Sequence, residues 1–305
     1  MMTCDTERTN TNGVHDFTIA DFKVRIIFKD IVEDGMNILP SFRNFRSKAL
    51  DNDDFLFILT IEEDLRCDLM TAENIGTFDT GNGDTIVDKY ADGGYRFVMK
   101  DISGRQCCML ITDKDFSHCR CMLNGDRNLR YFGLNNALML VFAFAASRFE
   151  TLLMHASVVR QNGYGYAFIA KSGTGKSTHT GLWVKHIDGC DLMNDDTPII
   201  RIINGQPYIY GSPWSGKTPC YRPIKAKLGA ITRIDRAGKN SIEKMRPVAA
   251  FASLLPSCSS MKWDKDIHDS TCKIITKLVE TANIYILHCL PDKEAAVLCN
   301  KEISK

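Results

Sequence analysis

Apolar and polar residues alternate early in the chain. Phe22, Val24, Ile26 and Phe28 are interleaved with Lys23 and Arg25, a period of two that predicts a half-buried strand. Residues 55–61 form a short apolar run rich in aromatic and branched side chains, with acids on both sides. Residues 85–90 and 95–100 flank Asp92-Gly93-Gly94, a hairpin signal, because glycine tolerates the positive φ such turns need. Residues 107–112 and 119–123 add two more strands, the second ending at Asn124-Gly125. Short strands at this spacing predict an antiparallel sheet or a small barrel.

Past residue 130 the pattern changes. Residues 136–149 are rich in Ala and Leu and free of Gly and Pro, predicting a mostly buried helix. From Leu152 onward strands and helices alternate around a glycine loop. Further along, residues 201–203 and 208–210 flank Asn204-Gly205 as a hairpin, and 228–234 and 284–289 read as strands. Residues 247–255, 267–281 and 293–299 read as helices. The expected organisation is a flexible arm over residues 1–16, a β-rich domain over 17–130 and a domain built around the glycine loop over 131–305, with the boundary near 127–133. The fold class is α+β or α/β.

A chain of 305 residues is long enough for two domains, and 44% hydrophobic with 25% charged residues is ordinary globular composition. A formal net charge of +1 removes the simplest electrostatic case for nucleic acid or an anionic membrane as partner. The longest apolar run, residues 137–146, is too short for a membrane span. Residues 1–12 are polar with no apolar core of a secretion signal, so the cytoplasm is the expected compartment. Most of the 12 cysteines sit in apolar segments, where a thiol behaves as a small hydrophobe. His118-Cys119-Arg120-Cys121 near Cys107-Cys108 raises a zinc site, but the spacing departs from the usual Cys-x2-Cys pairs. Residues 41–48 interleave aromatic and basic side chains; a solvated loop is favoured over a stacking surface for nucleic acid.

The informative segment begins with an apolar strand, Tyr166-Ala167-Phe168-Ile169. It runs into Ala170-Lys171-Ser172-Gly173-Thr174-Gly175-Lys176-Ser177-Thr178, which opens a helix. This is the P-loop arrangement, in which backbone N–H groups cradle phosphate oxygens and the helix N-terminus adds partial positive charge. Gly173 and Gly175 let the backbone curl around the phosphates, Lys176 neutralises the β- and γ-phosphates, and Ser177 ligates Mg²⁺. Ser172, Thr174 and Thr178 complete the expected ATP site. Ala170 stands where the usual pattern has its first glycine. The bland alternative is a glycine turn that happens to precede a helix.

About twenty residues further on, Cys190-Asp191-Leu192-Met193-Asn194-Asp195-Asp196 reads as a short strand ending in carboxylates, the usual partner of Mg²⁺ beside such a loop. Adjacent strand residues point to opposite faces, so two neighbouring acids serve one site only where the strand ends, as Thr197-Pro198 suggests. A solvated turn rich in Asn and Asp is the competing account.

His155-Ala156-Ser157-Val158-Val159, the glycine loop and Asn194-Asp195-Asp196 together resemble the catalytic half of HPr kinase/phosphorylase. The loop wording is also similar to that of ATP-type phosphoenolpyruvate carboxykinase, which shares that fold. The resemblance covers about residues 153–201 and, more weakly, the rest of the C-terminal half; the N-terminal half matches neither family. It implies a kinase domain with a mixed sheet and flanking helices, in which Lys176 and Ser177 hold phosphate and Mg²⁺. It further implies that Asp195 and Asp196 share metal ligation and hydroxyl deprotonation, with His155 beside the phosphates. A core histidine is the alternative for His155.

Residues 210–222, Gly- and Pro-rich yet carrying Trp214, Lys217 and Arg222, suit either a mobile loop closing over a ligand or a long surface connection. Lys217 or Arg222 would then stabilise transferring phosphate charge. The expected activity is ATP- and Mg²⁺-dependent phosphorylation of a hydroxyl, a serine of a protein or peptide. A carboxykinase-like small-molecule enzyme and a catalytically silent ATP sensor are the rivals, and a homo-oligomer is left open. Chain length favours the kinase, since a carboxykinase is characteristically much longer.

Overall fold

A computed structural model describes residues 13–29, 35–48, 54–66, 72–216 and 218–304. It contains two mixed sheets with helices, and its contacts divide the chain into two units: Met1–Thr18 with Lys23–Val141, and Ile19–Phe22 with Phe142–Lys305.

The first unit holds an eight-stranded sheet formed by β1 (Val14–Ile19), β2 (Phe22–Phe28), β3 (Phe57–Ile61), β4 (Ala72–Asp79), β5 (Asp84–Tyr90), β6 (Tyr95–Lys100), β7 (Gln106–Thr112) and β8 (His118–Leu123). The spatial order is β1-β2-β3-β8-β7-β6-β5-β4. It is neither purely antiparallel nor a barrel. The meander β4 to β8 starts at the far edge and returns beside β3, so β2–β3 and β3–β8 pair in parallel and β1 and β4 lie at the two edges, β1 bridged from Phe17 to Arg46. Strand β1 begins at Val14, inside the stretch expected to be an arm. Its alternation is masked by Asp16, which is buried because Arg25 Nε and Nη2 donate to its carboxylate at 2.7 and 2.9 Å. Residues 1–12 lie outside the described residues.

The cysteine cluster lies in the core of the first unit. On β7 and β8, Cys107, Cys108, Cys119 and Cys121 are all buried, with Cys108 and Cys121 sulfurs 3.3 Å apart, while His118 points the other way to solvent. Among the described residues no group of three or more His, Cys, Asp or Glu is placed to hold a metal. Residues 41–48 are not a plain solvated loop either. Pro40–Phe45 is a 3₁₀ turn whose Phe42 and Phe45 enter the core, Phe42 edge-on to Phe17.

Helix α1 (Arg127–Ser147) starts earlier than its Ala/Leu pattern because Asp126 caps it, Oδ1 accepting from Asn128 N and Leu129 N at 3.0 Å each. The helix runs unbroken through residues 127–133, and the division between the units falls at Val141 and Phe142. By length and composition it is long and apolar enough to cross a membrane, yet most of its apolar stretch is buried in the protein.

The second unit is built on a nine-stranded mixed sheet. Its strands are β9 (Thr151–Leu153), β10 (Ala156–Gln161), β11 (Tyr164–Ile169), β12 (Asp191–Asp196), β13 (Ile199–Ile203), β14 (Gln206–Tyr210), β15 (Lys225–Arg236), β16 (Ser241–Lys244) and β17 (Asn283–Cys289). The helices are α2 (Lys176–His186), α3 (Pro247–Leu254), α4 (Lys265–Thr281) and α5 (Lys293–Ile303). Alternation along the strands supplies two cores. Val158, Ala167, Ile169 and Met193 face Leu254 of α3 and Ile274, Ile275 and Leu278 of α4. Val159, Tyr166 and Phe168 face Trp183 of α2 and Ala295, Ala296 and Cys299 of α5. Strands covered on both faces read as nearly continuous apolar runs, as β10 and β11 do.

Strand direction decides where chemistry gathers. β11, β15 and β17 run parallel, and β10 is antiparallel to both β11 and β12. The C-terminal ends of β11, β12, β15 and β17 and the N-terminal end of β10 therefore share one edge of the sheet. In open sheets of this kind, that edge is where ligands bind.

Candidate functional site

The glycine loop leaves β11 at this edge and enters α2. Gly173 and Gly175 have φ of +75° and +126°, and a Cβ built on either meets nothing within 4 Å. Backbone conformation, not crowding, selects glycine there. Gly175 is the N-cap of α2 and has no side chain to cap it, so no side-chain hydrogen bond covers the helix start. Ser172, Gly173, Ser177 and Thr178 are exposed, leaving the loop open to a ligand.

Lys176, first residue of α2, folds back across the loop. Its Nζ donates to His155 Nε2 at 2.8 Å and to Ala170 O at 3.4 Å. His155 Nδ1 lies 3.2 Å from Asp196 Oδ1. With Nε2 accepting, Nδ1 carries the ring proton and donates it to the carboxylate. Residues far apart in sequence thus form one chain, Lys176–His155–Asp196. Burial pulls the Lys176 ammonium below its ordinary value against the opposing pull of Asp196 and Asp195. Burial pushes the Asp196 carboxyl up, but His155, the Thr197 hydroxyl and Lys176 outweigh it and hold it below the ordinary carboxylate value.

Asp195 takes another route. Register pairs it with Ser157 on β10, whose hydroxyl donates to Asp195 Oδ1 at 2.7 Å and lies 2.9 Å from Thr180 Oγ1. Thr180 in turn donates to Lys176 O and Ser177 O at 3.3 and 3.1 Å, which ties Asp195 to the first turn of α2. Asp195 is 4% exposed, and its Oδ2 is buried with no hydrogen-bond partner among the described residues. A buried, unpartnered carboxylate oxygen, linked through Ser157 and Thr180 to the first turn of α2, fits a hard cation such as Mg²⁺.

Both acids pull on the Lys176 ammonium, and both lie at the end of β12. Beyond it, the 210–222 segment is tied down against β12. Asn194 Nδ2 donates to Ser212 Oγ and Trp214 O at 3.2 and 3.0 Å, and Gly216 N donates to Asp195 O at 2.9 Å. Arg222 lies elsewhere: with Arg160 it grips Asp191 at the opposite end of β12, both contacts 2.8 Å. Lys217 lies outside the described residues.

Sequence reading missed Ser157, Thr180, Gly216 and Arg236. A serine in an otherwise apolar strand, two residues after His155, was the available signal for the first. Arg236 has no local signal. It ends β15, where its guanidinium donates to Thr174 O at 3.0 Å and to Gly173 O, clamping the loop. A cleft of about 870 Å³ opens beside the loop, lined by His155, Ser172, Arg233, Asp235, Ser253 and His288 among others.

No protein-family model and no curated protein matches this sequence. Among solved structures the chain is similar to the Hpr(Ser) kinase/phosphatase from Coxiella burnetii, at 10% identity over 49% of this chain and 91% of that one, with a TM-score of 0.29. That likeness is distant, and the functional argument rests on the residues of this chain.

Proposed function

We propose that this protein is an ATP- and Mg²⁺-dependent phosphotransferase acting on a hydroxyl, a serine of a protein or peptide being the acceptor. The observation that carries the reading is the convergence, at one sheet edge, of the open glycine loop, the Lys176–His155–Asp196 chain and the unpartnered Asp195 Oδ2.

The loop and the uncapped start of α2 receive the phosphates. Lys176 exchanges its contact with His155 for the β- and γ-phosphates. Ser177 and Asp195 would hold Mg²⁺, which when bound neutralises phosphate charge. Asp196, ionised at neutral pH, accepts the hydroxyl proton on a carboxylate oxygen, while His155 orients it through Nδ1–H. A weak base suffices, because little negative charge builds on the attacking oxygen in a loose transition state.

MgATP at a hundredfold over its dissociation constant should stabilise the protein by about 2.7 kcal/mol, read as a rise in melting temperature. Lys176→Ala should remove most of that rise, and Asp196→Asn should keep it while losing transfer of labelled phosphate to peptide. No rise with MgATP would overturn the assignment. An Asp196→Asn protein that still transfers phosphate would remove the base.

A further inference from the structure

A second, smaller recess adjoins the loop. It measures about 500 Å³ and is lined by Thr178, Leu182, Ile234, Arg236, Leu290 and Pro291 among others. Thr174, Ile234 and Arg236 line this recess and the larger cleft alike, so Arg236 stands between the two. We infer that the recess receives the base and sugar of the nucleotide, leaving the larger cleft to the phosphate acceptor. The inference rests on the phosphotransferase reading and extends it.

The direction of the triphosphate carries the assignment. Its reacting end must lie at Lys176, His155 and Asp196, and His155 lines the larger cleft. Thr178, two residues into α2 and exposed, lines the recess instead. A triphosphate laid along the loop with its terminal phosphate at His155 therefore sends its other end past Thr178 into the recess.

The chemistry of the two spaces agrees. Arg233, Asp235, Ser253, His288 and His155 make the larger cleft the more polar of the two. The recess is walled mainly by Leu182, Ile234, Ala237, Leu290 and Pro291, with Thr174, Thr178, His179 and Arg236 as its polar groups and no carboxylate among its described lining residues. Leu290 at its rim is 41% exposed, one of six exposed large apolar side chains among the described residues. A planar aromatic base would cover it. Arg236 is already fixed by the carbonyls of Thr174 and Gly173, so its guanidinium meets a base without losing rotamer freedom.

The test compares MgATP with magnesium tripolyphosphate, which has the phosphates and no nucleoside, by calorimetry on the full chain and on Leu290→Asp. Wild type should bind ATP about tenfold or more tighter than tripolyphosphate, the scale of one stacked base. Leu290→Asp should lose about that factor for ATP and keep its tripolyphosphate affinity, which also reports an intact loop. Equal wild-type affinities, unchanged ATP binding in Leu290→Asp, or parallel loss of both ligands would each overturn the recess assignment. If wild type binds neither ligand, the phosphotransferase reading falls with it; if both bind equally, only the recess assignment falls.

Discussion

His179 makes the seat of α2 sensitive to acid. It lies one turn into the helix that starts with Lys176, is 3% exposed, stands edge-on to Phe168 at 4.7 Å, and its Nε2 accepts from Trp183 Nε1 at 3.1 Å. Protonating Nε2 would set two donors against each other inside an apolar core. Burial drives its pKa from 6.5 down to about 4. The sign follows from proton counting. Below 6.5 the unfolded chain takes up a proton that the folded chain refuses until about pH 4, so stability falls as pH drops across that window. A shift of roughly 2.5 units at about 1.4 kcal/mol each comes to between about 3 and 4 kcal/mol in full, and about 3 of it is lost by pH 4, where the folded histidine is half protonated. His179→Gln keeps an acceptor for the Trp183 N–H and cannot titrate there. Urea unfolding followed by tryptophan fluorescence at pH 7 and pH 4 should show wild type losing about 3 kcal/mol more than His179→Gln. Equal losses in the two proteins would refute the argument.

Two further outcomes test the acid pair and its surroundings. Ser157→Ala strips Asp195 Oδ1 of its hydroxyl donor in a buried position and should lower stability by about 1–3 kcal/mol in urea unfolding, with Asp195→Asn in the same background restoring part of it; a change under about 0.5 kcal/mol would show that Ser157 is not a support for the carboxylate. Gly216→Ala places a Cβ 2.7 Å from Asp195 O, where the loop approaches β12. It should cost about 1–3 kcal/mol and speed tryptic cleavage within residues 211–222, and cleavage at the wild-type rate would contradict the close approach.

Much of the site was local, and so readable. The glycine loop is a contiguous strand–turn–helix signal, and the acids at the end of β12 are neighbours in sequence. The hairpin at Asn204-Gly205 and the helices capped by Asp264 and Asp292 likewise carry their causes within a few residues. Strand β4 was not readable, because an edge strand with mostly exposed or half-buried polar residues has no apolar period to detect. β1 hid behind a buried acid whose partner, Arg25, lies across a turn.

Sequence alone therefore determined which segments alternate, where the chain turns and which residue types sit on the loop. Tertiary structure alone decided that the first sheet is open and mixed, that Arg222 braces Asp191, and that Arg236 clamps the loop from another strand. It also separated the surroundings of two adjacent aspartates by giving one to Ser157 and the other to His155. The physical reason is range. Propensity, capping and turn chemistry act within a few residues, whereas strand order and register are settled by which apolar faces bury together over the whole unit, and those decide what each polar side chain meets.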